Sequence, residues 1–550
     1  ESDAGMITVS YPICGGDFDS AGIATRMLKE HLARIGVGAQ VMRRAMIAAY
    51  EAEMNVVIHA RTGTLWARVD QTKLDLEVAD EGPGIPDVEL ALKEGWSTAS
   101  SQARQMGFGA GMGLPNIRRN SDHFDIETRV GKGTRIRSTI LLAPAAAEKP
   151  HPGVSWPPML SLQRSLCRSC TRCIFACPTS ALRVRADGPV VRDELCIGCT
   201  ACVETCQRSV FRLADSELSS ETLPRDAVLV APRGFLSGFP LTDSPHRVMG
   251  ALRQVGFSQV RLLEEWDQAL RAAARERADS AVGPRPLIPP LCPAVVALVE
   301  SRFPSLIPNL GPWLSPVEAA SEEFPLRPVV IVASCPAQLS ALREAGVTGR
   351  LTVVGPARLS EMVRPLLAPG AAATAVAPAA PRAQAPASPS ALQAPARLPD
   401  ELVVSGIRHV LTVLAEAEAG ALNDVRLLDL TLCEKGCSGS PLLCADPYLS
   451  LHRWEQGGQG RTRAPSDAVA VPRRRPSTQR PGVRLDPDMG EAIRKLAAID
   501  QETRSLPGRD CGACGAPTCA AFAEDLVMGR APGSCPHAAG SSATTMEGTP

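Results

Sequence analysis

The sequence predicts a multi-domain chain of α/β and α+β units, on three observations. Its 550 residues exceed what one hydrophobic core organises. Strand-like and helix-like stretches alternate over residues 1–143 and again from Asp226. Sixteen of the eighteen cysteines fall into compact groups with ligand-like spacing, which marks further modules between and after those regions.

The first unit, residues 1–143, has a helical pattern from Asp17 to Ile35 and strand-like stretches at Ile126 and Thr134–Leu141. A proline-bearing linker follows at 144–160, then a cysteine module at 161–215. The apolar run Ala227–Ala231 opens a second α/β region over 224–367 and 400–455, with an Ala/Pro-rich insertion at 368–399. Residues 456–486 carry seven arginines from Arg461 to Arg484 and are expected to be a flexible basic linker. A helical pattern from about Met489 to Arg504 and a last cysteine group make up 487–538, and 539–550 is expected to be a disordered tail.

Lys plus Arg number 58 and Asp plus Glu number 58, so net charge gives no reason to expect nucleic acid or a membrane surface as partner. No apolar run approaches the roughly 18 residues that a span needs, and the N-terminal stretch lacks a basic-then-apolar signal pattern. The expectation is a soluble, cytoplasmic chain. In a reducing compartment the cysteines read as thiolate ligands rather than disulfides.

Cys167-x2-Cys170-x2-Cys173-x3-Cys177-Pro and Cys196-x2-Cys199-x2-Cys202-x3-Cys206 repeat one spacing within forty residues. Three thiolates in a tight loop suit three corners of an iron–sulfur cubane; zinc is the alternative. The segment resembles bacterial two-cluster ferredoxins. That resemblance implies one [4Fe–4S] cluster on Cys167, Cys170, Cys173 and Cys206, and another on Cys196, Cys199, Cys202 and Cys177. Two clusters in so small a module would pass electrons between them.

In the first unit Glu51 and Asn55 stand at i and i+4 on one helical face. Asp80-Glu-Gly82-Pro-Gly84 and Gly107-Phe-Gly109-Ala-Gly111-Met-Gly113 are dense enough in glycine for backbone amides to close around phosphates. A helix starting near Leu114 would add its positive end. These boxes, with Gly131-Lys-Gly-Thr134, resemble the motifs of Bergerat-fold ATPases (histidine kinase/HSP90-like), most closely the anti-sigma-factor serine kinases. The resemblance implies an α/β sandwich that binds ATP with Mg²⁺. Asn55 would ligate the metal, Asp80 would accept from the adenine amino group, and Glu51 would activate the attacking hydroxyl or water. The Trp96-Ser-Thr-Ala-Ser stretch would be a lid. Protein serine/threonine kinase or ATPase chemistry follows from that likeness.

Leu291-Cys292-Pro and the residues to Asn309 resemble the first cluster-binding motif of iron-only hydrogenases; Ala333-Ser-Cys335-Pro-Ala-Gln338 and Leu432-Cys433-Glu-Lys-Gly-Cys437 resemble the second and third. The resemblance implies a third [4Fe–4S] cluster on Cys292, Cys335, Cys433 and Cys437. Leu291 stands where active hydrogenases carry a proton-shuttling cysteine, and Gln338 where they carry a lysine, so hydrogen turnover is not the expected role. Buried thiols are the alternative reading for Cys335 and Cys433. Cys511-Gly-Ala-Cys514-Gly-x3-Cys519, with Cys535, resembles a small helical four-iron domain, implying a fourth [4Fe–4S] cluster; zinc is again the alternative. Cys14 and Cys444 are expected to be buried, apolar-like thiols.

Together these resemblances imply a redox- or hydrogen-responsive regulator in which four [4Fe–4S] clusters act on an ATP-binding, serine-kinase-like output domain. A protein phosphoacceptor and an iron-only hydrogenase or another redox protein are the expected partners. The alternatives are an electron-transfer or hydrogenase subunit modulated by ATP, and an ATP-binding scaffold for a hydrogenase.

Overall fold

The protein is described by a computed structural model over residues 6–18, 20–99, 109, 111–142, 159–213, 223–224, 226–240, 244–280, 283–344, 350–368, 400–443, 446–456, 472–473, 476–531 and 533–538. Gly107, Cys444 and the Ala/Pro-rich stretch from 369 to 399 lie outside these residues.

The first unit is one antiparallel sheet covered by two long helices. Strands β1 (Ile7–Cys14), β2 (Thr62–Val69), β3 (Lys73–Asp80), β4 (His123–Arg129) and β5 (Gly133–Leu141) lie in the order β1-β2-β3-β5-β4. Leu74, Leu76 and Val78 alternate inward along β3, as a half-buried strand requires. Helices α1 (Ile23–Ile35) and α2 (Ala39–His59) lie on that face; the short α3 (Val88–Ala91) and α4 (Gly113–Arg119) border the glycine boxes. The start of α1 is capped from a distance. Buried Glu53 of α2 accepts from the amides of Gly22, Ala24 and Thr25 at 3.0, 3.1 and 2.9 Å and from the Thr25 hydroxyl at 2.7 Å.

The cysteine module is a pair of matched halves: β6 (Leu160–Leu162) pairs with β9 (Phe211–Leu213), and β7 (Leu182–Arg185) with β8 (Gly188–Val191). Short helices α5 (Arg172–Ala176) and α6 (Ala201–Thr205) follow the cysteine loops. The halves share left-handed backbone at corresponding positions, Ser169 with Gly198, Thr171 with Thr200 and Ser180 with Ser209, which tightens each loop.

Next comes a parallel sheet in the order β11-β10-β12-β13, from β10 (Val228–Ala231), β11 (Gln259–Leu262), β12 (Val329–Val332) and β13 (Leu351–Val354). Every residue of β10 and β12 is buried, as expected for strands covered on both faces. The covering helices are α7 (Arg233–Leu236), α8 (Pro245–Val255), α9 (Glu264–Asp279), α10 (Pro293–Arg302), α11 (Pro316–Glu322), α12 (Pro336–Glu344) and α13 (Pro356–Leu367). A separate parallel pair, β14 (Glu401–Ser405) and β15 (Leu427–Thr431), carries α14 (Ile407–Glu418), with α15 (Pro447–Gln456) beyond.

The C-terminal part differs from expectation at its start. Helix α16 (Met489–Ser505), read as the opening of the last cysteine unit, contributes Ala492, Ile493, Leu496 and Ile499 to the same core as Leu28, Leu32 and Ile35 of α1. Residues 476–486, expected to be flexible linker, are packed. Arg480 is buried, its amide donates to the Glu300 carbonyl at 3.0 Å, and Leu485 enters the N-terminal core. The physical reason is that Val483 and Leu485 bury apolar surface in that core while Arg480 binds the carbonyls of Glu300 and Cys196. Helix α17 (Cys519–Val527) then lies across α16. No helix among the described residues is long and apolar enough to cross a membrane.

Leu496→Ala should therefore destabilise the N-terminal unit, although Leu28, Leu32 and Ile35 precede it by more than 460 residues, by about 2–5 kcal/mol. Denaturation followed by the fluorescence of Trp66 and Trp96 would measure it. An unchanged unfolding midpoint for that unit would show the seam to be unimportant.

Candidate functional site

In the N-terminal unit the predicted residues come together along the second half of α2: Gly113 lies near Asn55 and Glu51, and Gly82 near Asp80 and the His59 carbonyl. Glu51 and Asn55 share a face of α2, and α4 begins against them, close enough that a Cβ at Gly113 would stand 3.1 Å from Asn55 Oδ1 and 3.4 Å from Glu51 Oε2. Among the described residues Asn55 Nδ2 is buried and finds no hydrogen-bond partner, an orphan polar group of the kind that awaits a ligand. Asp80 ends β3. Its Oδ1 accepts from the amides of Gly82 (2.8 Å) and Thr134 (3.2 Å), which aims the carboxylate and leaves its other oxygen for a ligand. Burial raises the Asp80 carboxyl, while those two amides pull it back down. Gly84 packs on the Arg129 carbonyl, and Ile85 donates to Thr128 Oγ1 at 2.8 Å, so the Asp80–Gly84 box is tied to the β4–β5 turn. Gly109 and Gly111 both have positive φ and lie against Ala99 and Gly95–Trp96, the stretch read as a lid.

Three residues inside these motifs have roles that the sequence alone does not assign. Asn116 donates to Glu51 Oε1 at 2.7 Å and orients it. Gly133 sits so close to the Asp80 carbonyl that a Cβ would collide with it. Glu53 holds α1, and its signal was available: a carboxylate on the otherwise apolar face of α2, out of phase with Glu51 and Asn55.

The cysteines gather into four sets. Cys167, Cys170, Cys173 and Cys206 ring a cavity of about 210 Å³. Burial pushes the Cys173 thiol up to about 11, and the neighbouring charges of Cys170, Cys167 and Cys206 push the same way. Cys202 lies in the field of Cys199, Cys196, Cys177 and, across the module, Cys173. The amides of Ser169 and Ala181 point at the sulfurs of Cys167 (3.4 Å) and Cys177 (3.3 Å).

Cys292 caps α10, Cys335 immediately precedes α12 at the end of β12, and Cys433 and Cys437 follow β15, so the third set lies at the carboxyl ends of strands from two separate sheets. Cys335 is raised by burial and then by Cys292 and Cys437; Cys437 is raised by burial, Cys292, Asp267 and Cys433. Gln338 is fixed by Ser334, whose amide donates to Oε1 at 2.7 Å, so that its Nε2 donates to Cys437 Sγ at 3.3 Å. Leu291 is buried among apolar side chains. Cys511, Cys514, Cys519 and Cys535 line one hollow with Phe522 and His537. Buried thiols with such raised values ionise only where a cation takes the charge. Among the described residues no three ligand side chains converge on a single metal ion. A polynuclear cluster, in which each thiolate reaches its own iron, is the better fit to sulfurs spread around a cavity. All described cysteines are free of disulfides, and Cys14, expected to be buried, is exposed at the end of β1, where strand alternation turns it outward.

The sets also touch one another. Cys433 lies in the field of Cys199, whose carbonyl accepts from the Thr200 hydroxyl at 2.6 Å, and Gly198 packs so closely on Ala337 that no side chain fits. At the other end of the module the Val184 amide donates to the Gly515 carbonyl at 2.8 Å, and Val184 itself lines the first cavity. Arg183 and Arg185 reach buried Asp525 of α17 at 2.5 and 2.6 Å, which clamps the C-terminal set onto the module.

The architecture is a nucleotide-pocket sandwich joined to three cysteine-bearing units. By its N-terminal part the chain belongs to the family described as "Histidine kinase-like ATPase domain", which matches residues 17–140. It fuses that domain to regions matching "4Fe-4S dicluster domain" (159–207), "Iron only hydrogenase large subunit, C-terminal domain" (227–324) and "Putative Fe-S cluster" (506–537). It is 31% identical over 121 residues to the serine/threonine-protein kinase RsbT of Bacillus subtilis, covering 21% of this chain and 85% of that one. It is 36% identical over 97 residues to the anti-sigma F factor of Caldanaerobacter subterraneus subsp. tengcongensis, covering 17% of this chain and 64% of that one, just under two thirds of that relative. A solved structure of the FeFe-hydrogenase HydA1 from Chlamydomonas reinhardtii aligns at 15% identity with a TM-score of 0.33, covering 48% of this chain and 91% of that one.

Glu51 is raised by burial and lowered by Asn116. Asn116→Ala removes a donor to the charged form, so the Glu51 carboxyl should titrate still higher. A carbon-13 NMR titration reads this, and a fall would contradict the assigned contact.

Proposed function

We propose that the chain is a redox-responsive regulator in which clusters held by the cysteine sets bias an ATP-binding, serine-kinase-like domain. One continuous set of contacts carries this reading. Arg480 donates to the carbonyl of Cys196 at 2.6 Å, and five residues on the Leu485 amide donates to the Arg34 carbonyl at the end of α1 at 2.8 Å. Helix α1 is fastened at its start by Glu53, which lies between Glu51 and Asn55 on α2. A second fastening is Lys29 of α1, buried between Glu418 of α14 and the Phe303 ring at 4.3 Å. Burial lowers Lys29, so this ion pair has little tolerance for displacement of either partner.

In the ATP-binding unit Asn55 would hold Mg²⁺, Asp80 would accept from the adenine amino group through its free oxygen, and the glycines 82, 84, 109, 111 and 113 would let the chain close on the nucleotide. Glu51, oriented by Asn116, would take the proton of the attacking hydroxyl or water. The cysteine sets would supply one-electron storage when loaded with [4Fe–4S] clusters. Added charge at the Cys196 set would pull on Arg480 and so shift the strap that enters the core beside α1. Leu291 offers no proton path and Gln338 caps Cys437, which suits an electron-accepting sensor site better than hydrogen turnover. The phosphoacceptor is a protein by analogy with the kinase relatives.

Phosphoryl transfer or ATP turnover by the holoprotein should differ between oxidised and reduced clusters, and Arg480→Gln should shrink that difference while iron content is kept. Equal rates and nucleotide affinities in both redox states would sink the proposal. Gln338→Leu should lower the potential of the third set by about 20–60 mV, the equivalent of one hydrogen bond; potentiometric EPR measures it, and an unchanged potential would rule out the tuning role.

A further inference from the structure

The cavity ringed by Cys167, Cys170, Cys173 and Cys206 opens to the surface, where Cys170 is exposed. Arg168, Arg172 and Arg208 line it and are exposed, and among the described residues no carboxylate lines it. Four other arginines of the module have carboxylate partners: Arg164 pairs with Asp187, Arg183 and Arg185 with Asp525, and Arg192 with Glu194 and Glu524; exposed Arg212 of β9 does not line the cavity. Among the described residues no carboxylate pairs with Arg168, Arg172 or Arg208. The chain as a whole balances its charges at 58 to 58, so this local positive excess is a feature of the rim and not of composition. A basic rim around an exposed cysteine of the set is a surface suited to a protein that brings electrons and opposite charge together.

We propose that this rim is the docking face for a small acidic electron-carrier protein. The inference rests on the reading of the cysteine sets as cluster ligands and adds where electrons enter. The step would be a one-electron transfer with no bond made or broken: the carrier would lose one electron, and a cluster held by Cys167, Cys170, Cys173 and Cys206 would take it up. From there the core that Cys173 and Cys202 share, and the core against which Cys199, Cys292 and Cys335 all pack, mark the way inward to the set at Cys292, Cys335, Cys433 and Cys437. Negative charge on the carrier steers it to the rim and orients its own redox centre over Cys170.

The test uses the full-length holoprotein and an oxidised, strongly acidic small ferredoxin, with binding measured by calorimetry, so no turnover is required. Binding at low salt should weaken steeply towards about 1 M salt, where screening acts over about 3 Å. The triple variant Arg168→Glu, Arg172→Glu, Arg208→Glu should bind about tenfold or more weakly at low salt. Iron and acid-labile sulfide per chain report whether its clusters are retained; if they are not, the milder Arg168→Gln, Arg208→Gln variant decides, with a weakening of the same sign. Unchanged affinity in an iron-replete variant, insensitivity to salt, absence of binding by the wild type, or equal binding of a basic cytochrome would overturn the proposal. The regulatory reading fails separately: rim-dependent binding without any redox effect on ATP turnover would remove that reading and leave the docking face standing.

Discussion

Helix α16 fills the groove that α1 would otherwise show to water, and most of the inter-domain geometry follows from this burial. Ile493, Leu496 and Ile499 occupy the same core as Leu28 and Leu32, so the C-terminal cysteine set cannot move far from the N-terminal sandwich. The same helix carries Asp500, which approaches His31 of α1 at 3.6 Å. Burial works against a charged ring there, but Asp500 and the Met27 carbonyl outweigh it and raise His31. With both ends of the chain joined in one core, the cysteine module and the second α/β region are held between them. Apolar burial sets this closure; the ion pairs around it fix register.

Charged contacts then do what apolar ones cannot, selecting one orientation. Asp525 is buried, and its two arginine partners come from β7, so separating the C-terminal set from the module would leave an uncompensated charge. Glycine supplies the complementary device. At Gly198 and Gly515 backbone meets backbone across unit boundaries, and a side chain at either place would force the cysteine loops apart. The spatial order of the sets is therefore different from their order in the chain: the last set lies beside the first, and the third lies beside the second.

The same economy of polar groups recurs in the two candidate sites. Asp80 and Gln338 are each pinned through one oxygen by backbone amides, which leaves the opposite atom aimed at a ligand or a sulfur. Glu53 spends both oxygens on the start of α1 and so belongs to structure, although it stands two residues from Glu51 and from Asn55. Residues two apart on a helix face opposite ways, and that alone separates the two jobs.

What the sequence determined by itself was local and covalent in reach. The cysteine spacings prescribe the tight loops, because three thiolates separated by two residues can face one centre only if the backbone turns between them. The i, i+4 pair Glu51 and Asn55 needs only helical geometry, and the glycine boxes need only positive φ and close approach, as at Gly84 and Gly111. The fold class was legible for the same reason, since the alternation in β3 and the apolar runs of β10 and β12 are short-range signals. Tertiary structure decided everything that depends on which surfaces meet. A strap of arginines and prolines read as a linker until Leu485 and Arg480 found their pockets, and helix α16 read as part of the last unit until its apolar face found α1. Asn116, Gly133 and Gln338 act through partners 65, 53 and 99 residues away or through atoms no spacing rule reaches. Burial is a property of the packed whole, and the charge, orientation and contact that it imposes on a side chain are written only when the units close on one another.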